Sequence, residues 1–281
     1  MIGQAFDPRE EASHMPPVLT LNERGRSPFV LVCDHASNRI PDHLGDFGLT
    51  PLQRLDHIAW DPGALSVALR LLGALDAPLV YSTVSRLVID CNRSETAPDL
   101  MTVLSERTRI AAFENLSEDE RRTRIARYHG PFHAAIDDLL DARAARGQAS
   151  ILVAVHSFTP IYRDIARPWP IGLIHGIEPR YTRALFEALK AEDPDLNVGW
   201  NQPYAALNGV THTLETHGDG RRLDATMIEI RNDEILEERG VTLWANRLAR
   251  CLQAARKSLL ELPASNEAGQ RGAGQGDDDG R

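Results

Sequence analysis

Two histidines, His35 and His156, stand at the ends of apolar, β-branched runs, FVLVC at 29–33 and ILVAVH at 151–156. A neutral imidazole there is a good zinc ligand, and a catalytic zinc takes about three protein ligands while keeping one position open. Either histidine alone could be a hydrogen-bonded strand-end residue; two at equivalent positions point to a metal. Glu229 lies inside a third apolar run, ATMIEI at 225–230, where a buried carboxylate is costly without a cation beside it. Strand alternation puts Arg231 on the same face, so an ion pair between the two is one explanation. The other makes Glu229 a general base acting on water, a role that an apolar setting suits by raising its pKa.

Arg86, Asn92 and Arg93 lie in SRLVIDCNR at 85–93. A guanidinium fork matches the two oxygens of a substrate carboxylate, although Asp90 could pair with either arginine. In HIAWDPGA at 57–64, Asp61 is either the N-cap of a helix with Pro62 in its first turn or a carboxylate directed at the site. His129 and His133, four apart around Gly130-Pro131, read as packing or capping residues before ligands. The polar, Gly-rich stretch 200–224 reads as a loop closing over a site, from which Asn201, Tyr204, His212 and His217 could reach a substrate. The phosphate-cradling glycine motifs and G-x-S-x-G do not occur, so nucleotide and serine-hydrolase chemistry lack their fingerprints.

These residues need elements to bring them together. The runs 29–33, 78–82, 86–90, 151–156, 171–175 and 225–230 read as strands, several apolar on both faces as in the centre of a covered sheet. Helical patterns occupy 62–75, 117–146, 179–191 and 239–260; Ser117 and Glu120 supply a capping box for the second, and Gly130-Pro131 should break or kink it. Strands alternating with helices imply an α/β fold of three layers, αβα, around a central mixed, mostly parallel sheet. In such sheets ligands sit beyond the carboxyl ends of strands, where His35, Asn92, Arg93, His156, Glu229 and Arg231 would converge.

The 281 residues read as one domain over 28–262, preceded by a charged, Pro-containing arm at 1–27 and followed by a tail at 263–281 too polar to order itself. Lys and Arg total 31 against 40 Asp and Glu, a net charge of -9 with no basic block, which excludes nucleic acid and anionic membrane as natural partners. Three scattered cysteines give no disulfide framework, and the acidic N-terminus lacks a signal peptide; a soluble, cytoplasmic protein is expected. Nothing in the sequence sets the oligomeric state.

The segments VCDHASNRIP, HIAWDPGA, SRLVIDCNR, AVHSF and MIEIRND, in this order over about 28–260, resemble the N-formylglutamate amidohydrolase family. They are more distantly similar to aspartoacylases, succinylglutamate desuccinylases and zinc carboxypeptidases, which share a phosphorylase/hydrolase-like fold with one zinc. The D-x-N-R element, Asp90-Cys91-Asn92-Arg93, is the most specific shared piece. The resemblance implies that His35 and His156 ligate Zn2+ or another divalent metal and that Glu229 is the general base. It also implies that Arg86 polarises the scissile carbonyl, and that Asn92 and Arg93 hold one substrate carboxylate while Arg231 or Arg167 meets the other. Where those relatives carry H-x-x-E, this chain reads His35-Ala36-Ser37-Asn38. Either Asn38 supplies the third ligand through its carbonyl oxygen, or Asp61 does. The implied reaction removes a formyl or other small acyl group from an acidic amino acid such as N-formyl-L-glutamate, giving formate and glutamate. The alternatives are hydrolysis of another N-acyl amino acid or short peptide, or non-catalytic binding of an acidic metabolite.

Overall fold

The computed structural model describes residues 15–204 and 209–261. Seven strands form one sheet: β1 (Val18–Leu21), β2 (Phe29–Cys33), β3 (Leu79–Ser82), β4 (Ile151–Phe158), β5 (Ile171–Ile174), β6 (Val198–Trp200) and β7 (Asp224–Arg231). Their order across the sheet is β1-β3-β2-β4-β7-β5-β6. Strand β2 pairs parallel with β3 and β4, β4 with β7, and β5 with β6, whereas β1 with β3 and β7 with β5 are antiparallel. The sheet is thus mixed and mostly parallel. Every residue of β2, β4 and β5 is buried, which is why 29–33, 151–155 and 171–174 are apolar on both faces rather than alternating.

Among the described residues six α-helices accompany the sheet: α1 (Pro51–Leu55), α2 (Ala64–Leu75), α3 (Glu118–Arg124), α4 (Gly130–Ala145), α5 (Arg180–Glu192) and α6 (Glu238–Glu261). On one face Leu31, Val153, Val155 and Ile228 meet Val67 and Leu71 of α2, Leu185 of α5 and Leu248 of α6. On the other, Val30, Val32, Leu152, Ala154 and Met227 meet Phe132, Ile136 and Leu140 of α4. Each such side chain contributes roughly 1.5–3 kcal/mol by leaving water, and together they lock the three layers in register.

Four expectations are corrected. Residues 86–90 form no strand: Arg86 N bonds Ala59 O, Val88 N bonds Ser85 O, and Leu87, Val88 and Ile89 are buried with Phe47, Ile58, Leu100 and Phe113 in a third apolar cluster. The run is apolar because a loop is buried, not because it pairs. The expected arm supplies β1, an edge strand hydrogen-bonded to β3. Gly130-Pro131 does not break the helix; a π turn at Ile125–His129 joins α3 to α4, and Pro131 falls in the first turn of α4, where a missing N–H costs little. The stretch 200–224 is not all loop, since Leu214–Gly218 and Asp219–Arg221 form helical turns. The expected tail at 263–281 lies outside the described residues, none of whose helices is long and apolar enough to cross a membrane.

Candidate active site

The carboxyl ends of β2, β4 and β7 open into a cleft of about 1100 Å3 including its mouth. His35, Asp61, Arg86, Asn92, Arg93, His156, Tyr204 and Glu229 all line it. Asn38 and Arg231 do not.

Strand β2 ends at Cys33, and the next two residues place Asp34 and His35 at the sheet edge, 1% and 3% exposed. His156 and Glu229 come from inside β4 and β7, 2% and 4% exposed. Asp61 precedes α2 without capping it: the N-cap is Gly63, which makes no side-chain cap bond. Gly63 has φ +84, and a Cβ there would meet Ile235 O at 2.5 Å, so glycine alone lets the chain turn tightly into α2 and leave Asp61 facing the sheet.

Asp61 Oδ2 lies 3.3 Å from His35 Nδ1 and 2.9 Å from His156 Nδ1, and it accepts from Ser157 N at 3.3 Å. The far nitrogens of both rings face carboxylates as well. His35 Nε2 is 2.7 Å from Asp90 Oδ1, and His156 Nε2 is 3.1 Å from Asp34 Oδ2. Asp90 is further held by Arg86 Nη2 at 2.6 Å and by Asn92 N at 2.9 Å, and Asp34 accepts from the Thr213 hydroxyl. Buried carboxylates and imidazoles thus alternate along a continuous chain.

Burial alone would raise the three aspartates. The histidines beside Asp34 and Asp61, and Arg86 with His35 beside Asp90, more than reverse it, so all three are held below the usual carboxylate range. Burial, joined for His35 by Arg86, would lower the imidazoles; Asp90 and Asp61 raise His35, and Asp34 and Asp61 raise His156. Glu229 differs. Burial pushes it up to about 7, with His156 pulling back and Asp61 adding to the rise, and its Oε2 has no hydrogen-bond partner among the described residues.

His35, Asp61 and His156 fit a divalent cation on three counts. Their donor atoms all lie within 4.8 Å of one another, and of the two contacts to Asp61, 3.3 Å matches the edge of about 3.3–3.4 Å of a tetrahedral shell with bonds of about 2.0–2.1 Å while 2.9 Å falls short of it. His35 has a carboxylate hydrogen-bonded behind its other nitrogen, the arrangement that fixes metal-binding histidines, and Asp34 lies 3.1 Å from His156 Nε2, close by without a hydrogen bond. Three ionised aspartates against the one arginine leave two negative charges, which two protonated imidazoles balance, or equally one divalent cation with both imidazoles neutral.

The other expected residues divide. Asn38 donates its amide to Arg54 O at 3.0 Å and does not line the cleft, whereas Asp61 lies against both histidines. Asn92, in the cleft lining, donates to Val210 O at 2.6 Å and accepts from Thr213 N at 3.1 Å, and so ties the 210–213 segment to the cleft wall. Arg93 bonds Asp99 and Asn92 O, leaving Nη2 without a partner among the described residues. Arg231 pairs with Asp233 and Glu234, not with Glu229, because it lies where β7 gives way to a helical turn. Arg167 donates to the Tyr204 hydroxyl at 3.3 Å and stacks on the Tyr204 ring. Asn201 pairs with His175.

Two contributors escape sequence reasoning. Asp34 precedes His35 directly, and its position one residue beyond an all-buried strand is the signal that could have found it. Gly172 sits opposite Glu229 on β5, and a Cβ there would lie 1.7 Å from Gln202 O, so the 202–204 segment crosses close over the sheet and carries Tyr204 to the cleft. No linear pattern marks that crossing.

The chain aligns over 89% of its length with 98% of a gene product of Agrobacterium tumefaciens of known crystal structure, at 39% identity and a TM-score of 0.86. It covers all of an N-formylglutamate amidohydrolase from Ralstonia eutropha with 88% of its own length, at 20% identity and a TM-score of 0.63, a likeness of fold. A search of curated proteins gave no match. The family model for N-formylglutamate amidohydrolase matches residues 27–236, three quarters of the sequence and every cleft element described above, and the chain belongs to the N-formylglutamate amidohydrolase family.

Proposed function

We propose that the chain is a divalent-metal-dependent amidohydrolase that removes a formyl or other small acyl group from an acidic amino acid, with N-formyl-L-glutamate as first candidate. The observation that carries this reading is the buried His35, Asp61 and His156 trio with Glu229 beside it in one cleft. The proposed metal is Zn2+ or a cation of similar preference, held by the two imidazoles and Asp61. When bound, such a cation supplies Lewis acidity, lowering the pKa of a water and polarising an amide carbonyl.

The chain's own residues do the rest. Glu229, poised near neutrality, is the proposed general base: Oε2 takes a proton as the water oxygen bonds to the carbonyl carbon. The same proton passes to the departing nitrogen as the C–N bond breaks, giving formate and the free amino acid. Arg86, held by Asp90 and 3.6 Å from Asp61, adds fixed positive charge where the carbonyl oxygen becomes negative. Arg93 Nη2 is the proposed anchor for a substrate carboxylate, and Tyr204, steadied by Arg167, closes the cleft from the side of β5.

Formate release from N-formyl-L-glutamate, before and after chelation and metal restoration, tests the reading. Turnover that disappears with the metal and returns with it is expected; turnover indifferent to stripping would remove the metal, and none with any N-acyl acidic amino acid would remove the substrate class.

A further inference from the structure

We propose that His129, His133 and His212, with His217 beside them, form a second divalent-metal site that takes an imidazole-preferring cation of the Zn2+, Co2+ or Ni2+ kind. Donor nitrogens of the first three lie within 4.8 Å of one another. Ring centroids are 4.4 Å apart for His129 and His133, 5.1 Å for His133 and His212 and 5.8 Å for His129 and His212. Imidazoles sharing one ion at about 2.0–2.1 Å place their centroids roughly 5 Å apart. The residues come from the π turn, α4 and the segment after 209, so no local repeat gathers them.

The hydrogen bonds around the cluster fix its tautomers. His129 Nε2 lies 2.9 Å from Arg93 O, and His133 Nε2 lies 2.9 Å from Cys91 O. A carbonyl only accepts, so each Nε2 carries the hydrogen, and each Nδ1 of a neutral ring keeps its lone pair. Backbone carbonyls behind imidazoles are what orient metal-binding histidines. His133 Nδ1 is 2.8 Å from His217 Nε2, a hydrogen-bond distance that ties His217 to the cluster, and His217 Nδ1 is 3.1 Å from Asp137. Charge balance is within reach, with Glu95 Oε1 3.8 Å from His129 Nδ1.

Burial and the neighbouring histidines hold His133 down to about 3; burial, joined by His129, lowers His212, and burial lowers His217. Apolar rings would pack the buried positions of His129 and His217 without the cost of burying polar ones. The ion would clamp α4 and the 212–217 turn to the carbonyls of Cys91 and Arg93, stiffening the wall that presents Arg93. The inference stands independently of the proposed reaction.

The full chain, prepared without a polyhistidine tag and stripped with chelator, would be titrated with Co2+ and its retained metal counted after desalting. About two equivalents are expected for the native chain, one for His212→Ala, a half-buried position that truncation should not unfold, and one for Asp61→Asn. The visible spectrum of cobalt retained by Asp61→Asn should indicate nitrogen-rich coordination. A native chain that holds one equivalent, lost with Asp61→Asn, overturns the second site and leaves the first. One equivalent lost only with His212→Ala leaves the second site and overturns the first. Two equivalents unaffected by His212→Ala, or a cobalt-free Asp61→Asn chain, also end the proposal.

Discussion

His156 and Glu229 are register partners on the parallel strands β4 and β7. The residues two places earlier on each strand, Ala154 and Met227, both face α4, so alternation sends the imidazole and the carboxyl to that same side of the sheet. Neighbouring strands lie about 4.8 Å apart, so backbone ladder bonds, not a loop, set the spacing of the proposed ligand and the proposed base. Antiparallel β5 flanks Glu229 with Gly172, which puts no side chain between the carboxyl and the cleft.

Replacing Glu229 with Gln keeps the shape and removes the proton acceptor. The expected result is a kcat lower by about 10²–10⁴ with metal content and thermal midpoint little changed, read by formate release and elemental analysis. A near-native rate would take the base assignment away from Glu229.

How far this site can be read from sequence depends on which partners are local. FVLVC and ILVAVH announce β2 and β4 because both faces of each strand are covered, and apolarity then records burial faithfully. RLVID carries the same record, yet nothing in one dimension separates a buried loop from a buried strand. Asp61 before Pro62 has the local signature of a helix cap, whereas its actual partners, His35 and His156, are 26 and 95 residues away. Asn38 is favoured by its spacing from His35 alone, and its amide goes to a nearby carbonyl instead. His133 and His217 meet across 84 residues, so neither segment announces the cluster.

Asp61→Asn tests the trio directly. The amide keeps the volume but loses the charge that both imidazoles face, and an amide oxygen is a weak ligand for zinc. Metal affinity at this site should fall by more than about a hundredfold in competition with a chromophoric chelator, and turnover with it. Unchanged affinity would mean that Asp61 supports the fold without holding the cation.

Gly172→Ala probes the crossing of the 202–204 segment. A methyl group 1.7 Å from Gln202 O cannot be accommodated without moving backbone, at a cost of about 1–3 kcal/mol, and the movement carries Tyr204 away from the cleft. KM should rise more than kcat falls, while the trio retains its metal. If stability drops and KM stays put, Tyr204 plays no part in holding substrate.

Metal uptake should expel protons, and the sign follows from the pKa directions. Metal-free, His35 and His156 are raised above their ordinary value by the aspartates around them and so hold their protons to higher pH than a free imidazole would. A cation needs their lone pairs, so binding at the trio should release up to about two protons, more at lower pH, and apparent affinity should climb by up to about a hundredfold per pH unit until both rings titrate on their own. Calorimetric titration of zinc into stripped protein, in buffers of different ionisation enthalpy, counts those protons; carrying out the measurement in the His212→Ala chain isolates the trio. Release of none would mean that the imidazoles are already neutral and that another cation balances the three aspartates.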